Sequence, residues 1–337
     1  MQCEMKRTPR GAAVALTLAA ALALTACGGG TPTETPGGAT DTPDAQNHTL
    51  KIADFPVMEL AALFVGRDAD IFAEHGVTLD AIQISGAGAA MIPAAVEGTI
   101  DIAPSNVLSV MVAQQNGQDV QCFALITRRP AEGRPLALLT PGDSTITSAE
   151  ELRGKQVAIN ALGGANDLVM RAWLSSEGVD PDDVTFVPTD FPNMSQVLSN
   201  SNVDAALVDE PFTTQAIEQG AKVLEERPYQ AIAETPVFSC WAATTEVITD
   251  KAEALAAFVA AMNEANEKAN GDRGVVTTTL VETMGFASDV AEAATVPLFD
   301  AHISVEDLVT WAEFAKTFGM LNADFDPADA VTPVFEN

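Results

Sequence analysis

The chain has 337 residues, of which 47 are Asp or Glu and only 17 Lys or Arg, for a formal net charge of -30 at pH 7. That length supports two lobes with separate cores and excludes a small disulfide scaffold, while the charge disfavours nucleic acid and anionic lipid as partners. Three histidines far apart in sequence (His48, His75, His302) and four cysteines without a CxxC or HExxH pattern leave a metal site without support, and no cofactor is expected.

The first residues read as a leader. Lys6, Arg7 and Arg10 form a basic stretch, and Gly11 to Ala26 supply an apolar run too short to span a bilayer comfortably. The run ends on Leu24-Thr25-Ala26-Cys27, which resembles the lipobox of bacterial lipoproteins, where the cysteine sulfur receives diacylglycerol and becomes the mature N-terminus after cleavage. Residues 1–26 are therefore expected to be a signal peptide, Cys27 a lipid anchor, and residues 27–48, rich in Gly, Thr and Pro, a flexible tether. A plain secretory peptide and an uncleaved helix are the competing readings. The anchored product would stand on the outer face of the cytoplasmic membrane. The leader holds three bases and one acid, so from Cys27 onward 14 bases face 46 acids.

From Leu50 onward short apolar strands alternate with amphipathic helices, the pattern of an α/β fold with mainly parallel sheet. Strands are expected at Leu50 to Ala53, Val77 to Ile84 and Thr99 to Ala103. Helices are expected at Glu59 to Ala73, around Met91 with Pro93 in the first turn, and at Asn106 to Gln115. Strand Val120 to Thr127 carries Cys122. Pro135 to Thr140 opens a second set, with strands at Gln156 to Asn160, Asp183 to Pro188 and Val203 to Val208. A capping-box spacing at Ser148 and Glu151 and helices at Asp167 to Glu177 and Asn193 to Ser199 belong to the same set. Strand Pro236 to Thr244, with Cys240, brings the chain back. Helices dominate from there, one placing Leu255, Phe258, Val259 and Met262 on one face and a last one capped by Ser304 and Asp307 and running through Phe318. In an oxidising compartment Cys122 and Cys240 either pair or remain two buried thiols. The organisation is two α/β lobes, 49–137 with 239–337 and an inserted 138–238, joined by two hinge strands with the ligand cleft between them.

Ala61 through Gly76, Ser85-Gly-Ala-Gly88 and Ala94-Ala-Val-Glu97-Gly98-Thr-Ile-Asp101 resemble the nitrate/sulfonate/taurine family of ABC-transporter substrate-binding proteins, which also includes thiamine-pyrimidine-precursor binders. Glu151-Leu-Arg-Gly154, Gly178-Val-Asp-Pro181 and Val203-Asp-Ala-Ala-Leu-Val-Asp-Glu210-Pro211-Phe212 extend the resemblance, which spans Leu50 to about Phe318. It implies a type II periplasmic-binding-protein fold, a small-molecule solute held between the lobes, and delivery to an ABC permease and its ATPase; a monomer is expected. Two departures concern the ligand more than the fold. Asn200-Ser-Asn202 stands where the family often has glycine, and Asp209 where an aromatic is common before Glu-Pro.

In an open parallel sheet, ligands lie beyond the carboxyl ends of strands, where loops enter helix N-termini. That rule selects Asp54-Phe55-Pro56, Gly86-Ala87-Gly88, Ser105-Asn106, Gly163-Gly164 with Asn166, Asp190-Phe191 and Asp209-Glu210 as ligand-binding candidates. The glycine loops expose N–H groups at helix starts, although a turn that needs positive φ accounts for them as well, and capping alone accounts for Asn166. Phe55, Phe191 and Trp241 are candidate flat walls. Asp54, Asp190, Asp209 and Glu210 together would repel an anion, and Arg128, Arg129 and Arg134 fall outside the selected loops. The solute is therefore expected to be a small organic molecule, neutral or amino-bearing and heteroaromatic, like a thiamine pyrimidine precursor. The alternative is a sulfonate, taurine or nitrate-type anion. No catalytic residue is expected, since Cys122 and Cys240 stand alone and Ser105 has no evident base. An enzyme on the same fold and a ligand-sensing lipoprotein are the rival classes.

Overall fold

The computed structural model describes residues 47–84 and 90–332. The leader, Cys27, the tether before Asn47 and the Gly86-Ala87-Gly88 loop lie outside the described residues. Strand β1 (His48–Ala53) leads through a 3-10 turn at Met58–Leu60 into α1 (Ala61–Asp68) and α2 (Ile71–Glu74), and β2 (Val77–Ile82) returns parallel to β1. The helix expected over Glu59 to Ala73 is thus broken. Asp70 takes φ 58°, a left-handed conformation that a continuous helix of L-residues does not accommodate and that Asp tolerates singly.

Next come α3 (Met91–Val96), β3 (Ala103–Asn106), α4 (Val107–Gln115) and β4 (Gln121–Arg128). The strand expected at Thr99 to Ala103 lies later, in β3, because the N–H groups of Asp101 and Ile102 both donate to the Lys51 carbonyl and make only a bridge to β1. After residues 129–135 the chain builds β5 (Leu136–Thr140), β6 (Gln156–Ile159), α5 (Ala165–Ser176), β7 (Thr185–Pro188), α6 (Phe191–Ser199), β8 (Ala205–Asp209), α7 (Phe212–Glu218) and β9 (Lys222–Glu225). β10 (Val237–Ala243) carries it back to α8 (Thr245–Asp250), α9 (Ala252–Gly271), α10 (Arg273–Glu282), α11 (Ser288–Ala293), β11 (Leu298–Phe299) and α12 (Val305–Thr317). The Ser304–Asp307 capping box starts α12 as the spacing predicts. Ser148 makes no side-chain cap. Glu151 instead accepts from the N–H and hydroxyl of Thr147, and only one 3-10 turn at Ala149–Leu152 follows.

One sheet has the order β11-β4-β10-β3, the small β1-β2 sheet is linked to the β3 segment by the Ile52–Ile102 bridge, and a third sheet has the order β7-β6-β8-β5-β9. The sheets are not mainly parallel: the β1-β2 pair is parallel, every pairing in the β11-β4-β10-β3 sheet is antiparallel, and the third sheet is mixed. β6 runs parallel to β7 and β8, but β5 is antiparallel to β8 and β9, and β10 is antiparallel to β3 and β4. The insertion is the reason: β4 leaves and β10 re-enters side by side, so the two must run in opposite directions. Cys122 in β4 and Cys240 in β10 are disulfide-bonded, with Cα atoms 5.7 Å apart. The crossing segments are tied by Arg129 N–H to the Pro236 carbonyl (2.9 Å) and by the Tyr229 hydroxyl to the Pro130 carbonyl (2.8 Å).

α9 supplies much of the core beside β10. Phe258 packs at 5.8 Å from Phe72 and edge-on to Trp241 at 5.3 Å. α1 and α9 approach closely at Gly66, where a Cβ would stand 2.9 Å from that of Ala265 and 2.8 Å from the Phe72 ring.

Candidate functional site

A cavity of about 70 Å³ lies where the β3-β4-β10 sheet faces the ends of β6, β7 and β8. Each wall comes from a strand-to-helix connection or from a crossing strand. Phe55, Val57, Glu59 and Leu60 follow β1; Pro104, Ser105 and Asn106 end β3; Asn160, Ala165 and Asn166 enter α5; Phe191 starts α6; Asp209 ends β8; and Ile126, Phe238 and Ser239 come from β4 and β10.

Six of the expected residues meet there. Phe55 and Phe191 are apolar walls, and Phe191 is further stacked on Phe212 with centroids 6.1 Å apart. Asn106 caps α4, its Oδ1 accepting from Ser109 N–H at 2.8 Å. Ser105 is buried and its Oγ has no protein partner. Asn166 donates from Nδ2 to Asp209 Oδ2 at 3.0 Å, which leaves its buried Oδ1 unpartnered.

The other expected residues are placed elsewhere. Asp54 is closed in an ion pair with Arg67 and accepts from Gln83 Nε2 at 2.7 Å. Pro56 and Asp190 are exposed. Gly163 donates its N–H to Asp167 Oδ2 (2.8 Å) in a positive-φ turn, and Gly164 is the residue before α5. Glu210 is buried and turned away from the cavity wall, accepting from Thr214 N–H (3.0 Å), Thr214 Oγ1 (2.8 Å) and Thr295 N–H (3.0 Å). Burial pushes its carboxyl up, against those bonds. Trp241 is fully buried against Phe258, because that stretch of β10 turns its ring to α9.

The acids at the strand ends do not gather around the cavity to repel an anion, as the sequence suggests they would. Of the four acids only Asp209 lines the cavity, and Arg129, set aside because it follows no βα loop, is the residue that neutralises it. Arg129 is 1% exposed; its Nη2 donates to Glu59 Oε1 at 3.0 Å and also to Asp209 Oδ1, and its guanidinium carbon sits 3.7 Å from the Phe238 ring centroid. Burial works against the Arg129 charge, but Asp209 and Glu59 outweigh it and raise its pKa. The Glu59 carboxyl is pushed up to about 7, first by burial, then by the charge of Asp209, with Arg129 acting in the opposite sense.

Glu59, Arg129, Asn160, Phe238 and Ser239 were not anticipated as site residues. The available signal was Arg129 immediately past a buried strand at the point where the chain changes sheets, where a lone cation needs a carboxylate partner. Asn160 and Ala165 take their place from the β6-to-α5 connection, and Asn160 Oδ1 is a third buried oxygen without a partner. Among the described residues no three His, Cys, Asp or Glu side chains come together as metal ligands.

The NMT1/THI5-like family model matches residues 58–272. The nitrate/nitrite binding protein NrtA of Nostoc sp. is 24% identical over 208 residues, 54% of this chain and 45% of the relative. The bicarbonate-binding protein CmpA of Synechococcus elongatus is 25% identical over 194 residues, 51% of this chain and 43% of the relative. The matched region thus spans less than half the length of these curated relatives. Among solved structures, the alkanesulfonate-binding protein SsuA from Xanthomonas axonopodis pv. citri bound to MOPS superimposes with a TM-score of 0.71 at 17% identity, covering 84% of this chain and 98% of that one. Likeness at that identity shows the fold, that of a periplasmic binding protein.

Proposed function

The chain belongs to the NMT1/THI5-like family, and from that premise and the cavity between its sheets we propose that it is the extracytoplasmic solute-binding component of an ABC importer. Lobe 138–238 closes on lobe 49–137 plus 239–337 around a small solute, and the closed form is presented to a permease with its ATPase. Cys27 carries the lipid that holds the monomeric chain at the outer face of the cytoplasmic membrane. The site binds and does not convert: Ser105, the hydroxyl nearest the role of a nucleophile, has no base within hydrogen-bond reach.

The observation that carries the ligand reading is the trio of buried, unpartnered oxygens on cavity-lining residues: Ser105 Oγ, Asn160 Oδ1 and Asn166 Oδ1. Buried acceptors left without protein donors are destabilising, so a solute that brings N–H or O–H groups is favoured. Phe55, Phe191 and Phe238 suit a flat body. The solute is read as a small neutral or amino-bearing organic molecule, heteroaromatic like a thiamine pyrimidine precursor.

A second reading has its own support. The first N–H groups of α5 lie at Ala165 and Asn166, which line the cavity, and such a helix start attracts anions; relatives bear the names of nitrate, bicarbonate and alkanesulfonate binders. A thermal-shift screen separates the two, with pyrimidines and amines in one panel and nitrate, bicarbonate and alkanesulfonates in the other. Ligand at a hundredfold excess over its Kd adds roughly 2.7 kcal/mol to folding. A hit confined to the anions overturns the first reading, and no hit in either panel counts against solute capture.

A further inference from the structure

Two carboxylates and one guanidinium meet where the two sheets face each other. Arg129 is the first residue after β4, pinned to the crossing by its own N–H to Pro236. Glu59 sits in the 3-10 turn that packs on β4, and Asp209 is the last residue of β8 in the other sheet. A single nitrogen, Nη2, reaches both acids. Arg129 and Asp209 are 1% and 3% exposed and the Glu59 side chain, on the cavity wall, 13%, so two largely buried negative charges against one positive leave one charge poorly compensated. A proton held by one of the acids balances the cluster. Asp209 accepts from Asn166 Nδ2 as well as from Arg129, while Glu59 has Arg129 as its side-chain donor; Glu59 is the acid left to hold the proton.

We propose that Arg129 clasps Glu59 and Asp209 together most firmly while Glu59 is protonated, so that closure of the cavity, and with it retention of solute, weakens as pH rises and Glu59 ionises. That consequence for solute rests on the reading of this cavity as the capture site; the clasp itself does not. When the lobes part, Asp209 leaves with β8 and Glu59, already 13% exposed, is opened fully to water, where its carboxyl returns to the ordinary range. The groups acting on Glu59 in the closed form are Asp209 from β8 and Arg129 from the end of β4. Tyr229, behind Arg129, keeps its proton up to about 12, and the neighbouring Asp54–Arg67 pair is closed on itself.

With the Glu59 carboxyl at about 7 when clasped against its ordinary 4.5, the opening equilibrium rises about tenfold between pH 6 and pH 8 by proton linkage. Amide hydrogen exchange of the full chain without added solute reads this directly, after correction for the intrinsic pH dependence of exchange. Segments 57–61, 104–109, 160–168 and 209–214 should lose about tenfold of their protection from pH 6 to pH 8, while α9 does not. In Glu59→Gln, a neutral isostere, and in Glu59→Met as a second neutral variant, the same segments should keep a constant protection. A flat wild-type profile overturns the proposal, as does a folded neutral variant that follows the wild-type trend. The result is independent of the ligand panels, whose failure would overturn solute capture and leave the clasp standing.

Discussion

Replacing both Cys122 and Cys240 by alanine opens a ring whose ends are 118 residues apart and which contains every strand of the β7-β6-β8-β5-β9 sheet. In the chain-entropy description, closing a ring of that length removes about 16 cal/mol/K from the unfolded chain, about 5 kcal/mol at 25 °C. Residual compactness of the unfolded chain lowers the figure, and disulfides of this kind typically contribute about 2–4 kcal/mol. β4 and β10 remain hydrogen-bonded neighbours without the sulfurs, so the fold should persist and the loss should appear as stability alone. Urea unfolding followed by tryptophan fluorescence is suitable, because Trp173, Trp241 and Trp311 are all buried. At a slope of about 3 kcal/mol/M the midpoint should fall by about 1 M with the slope rising, since the opened chain exposes more surface on unfolding. A midpoint shift below about 0.3 M would refute the reasoning. So would alkylation of Cys122 and Cys240 in denaturant without reductant, which would show that the bond is not formed.

Other perturbations test the site and its surroundings. Asn166→Leu removes the donor to Asp209 and the free Oδ1 together, and should weaken binding of the solute found in the panels by about tenfold or more; an unchanged Kd by calorimetry would take Asn166 out of recognition. Arg129→Met leaves Asp209 and Glu59 facing each other in the interior and should destabilise by about 3–5 kcal/mol, with part of the loss recovered when Asp209→Asn is added; a cost below about 1 kcal/mol would mean the acids reach water. Gly66→Ala gains about 1 kcal/mol of helix propensity but sets a methyl 2.8 Å from Phe72 and 2.9 Å from Ala265. A net loss of about 1–3 kcal/mol in thermal unfolding is expected, and stabilisation would show that α1 and α9 are less tightly packed. For Glu59 the folded pKa of about 7 lies above its ordinary 4.5. The folded chain therefore binds the extra proton, and the associated stability is complete below about 4.5 and lost as pH rises through about 7. Urea titrations at pH 5 and pH 8 should differ by something on the order of 3 kcal/mol from this group, a difference that Glu59→Gln removes.

The cavity residues that sequence reasoning reached are those whose location depends on chain order alone. Phe55, Ser105, Asn106, Asn166, Phe191 and Asp209 stand at strand ends next to helix starts, and an α/β topology brings such positions to one edge whatever the side chains do. Asp54 and Glu210 occupy equivalent positions, yet Arg67 claims one and Thr214 with Thr295 the other; the direction of a side chain depends on partners far away in sequence. Ile126, Phe238 and Ser239 were beyond that rule because they belong to the crossing strands, which face the cavity from the side. Trp241 illustrates the same limit. It lies two residues beyond Ser239, but β10 carries irregular register against β4 on either side of it, so simple alternation does not predict which wall the ring joins.

The formal charge of -30 is a poor guide to what the cavity accepts. Most acids are at the surface, where the Debye length of about 8 Å at physiological salt screens them from a site deeper than that. On the reading of this cavity as the capture site, a solute stands against Glu59 and Asp209, which Arg129 joins behind the wall, and the charge of that cluster changes by one with a single proton. With Glu59 protonated the cluster is neutral and the helix start at α5 acts unopposed on a solute; with Glu59 ionised an uncompensated negative charge stands in the cavity wall. Anions should therefore lose affinity more steeply than neutral solutes as pH rises past about 7, because they suffer both the loosened clasp and the added repulsion. Comparing the pH dependence of Kd for an anionic and a neutral solute of similar size would separate the two effects: parallel slopes would leave the clasp as the only pH-sensitive part and place the Glu59 charge too far from the solute to be felt.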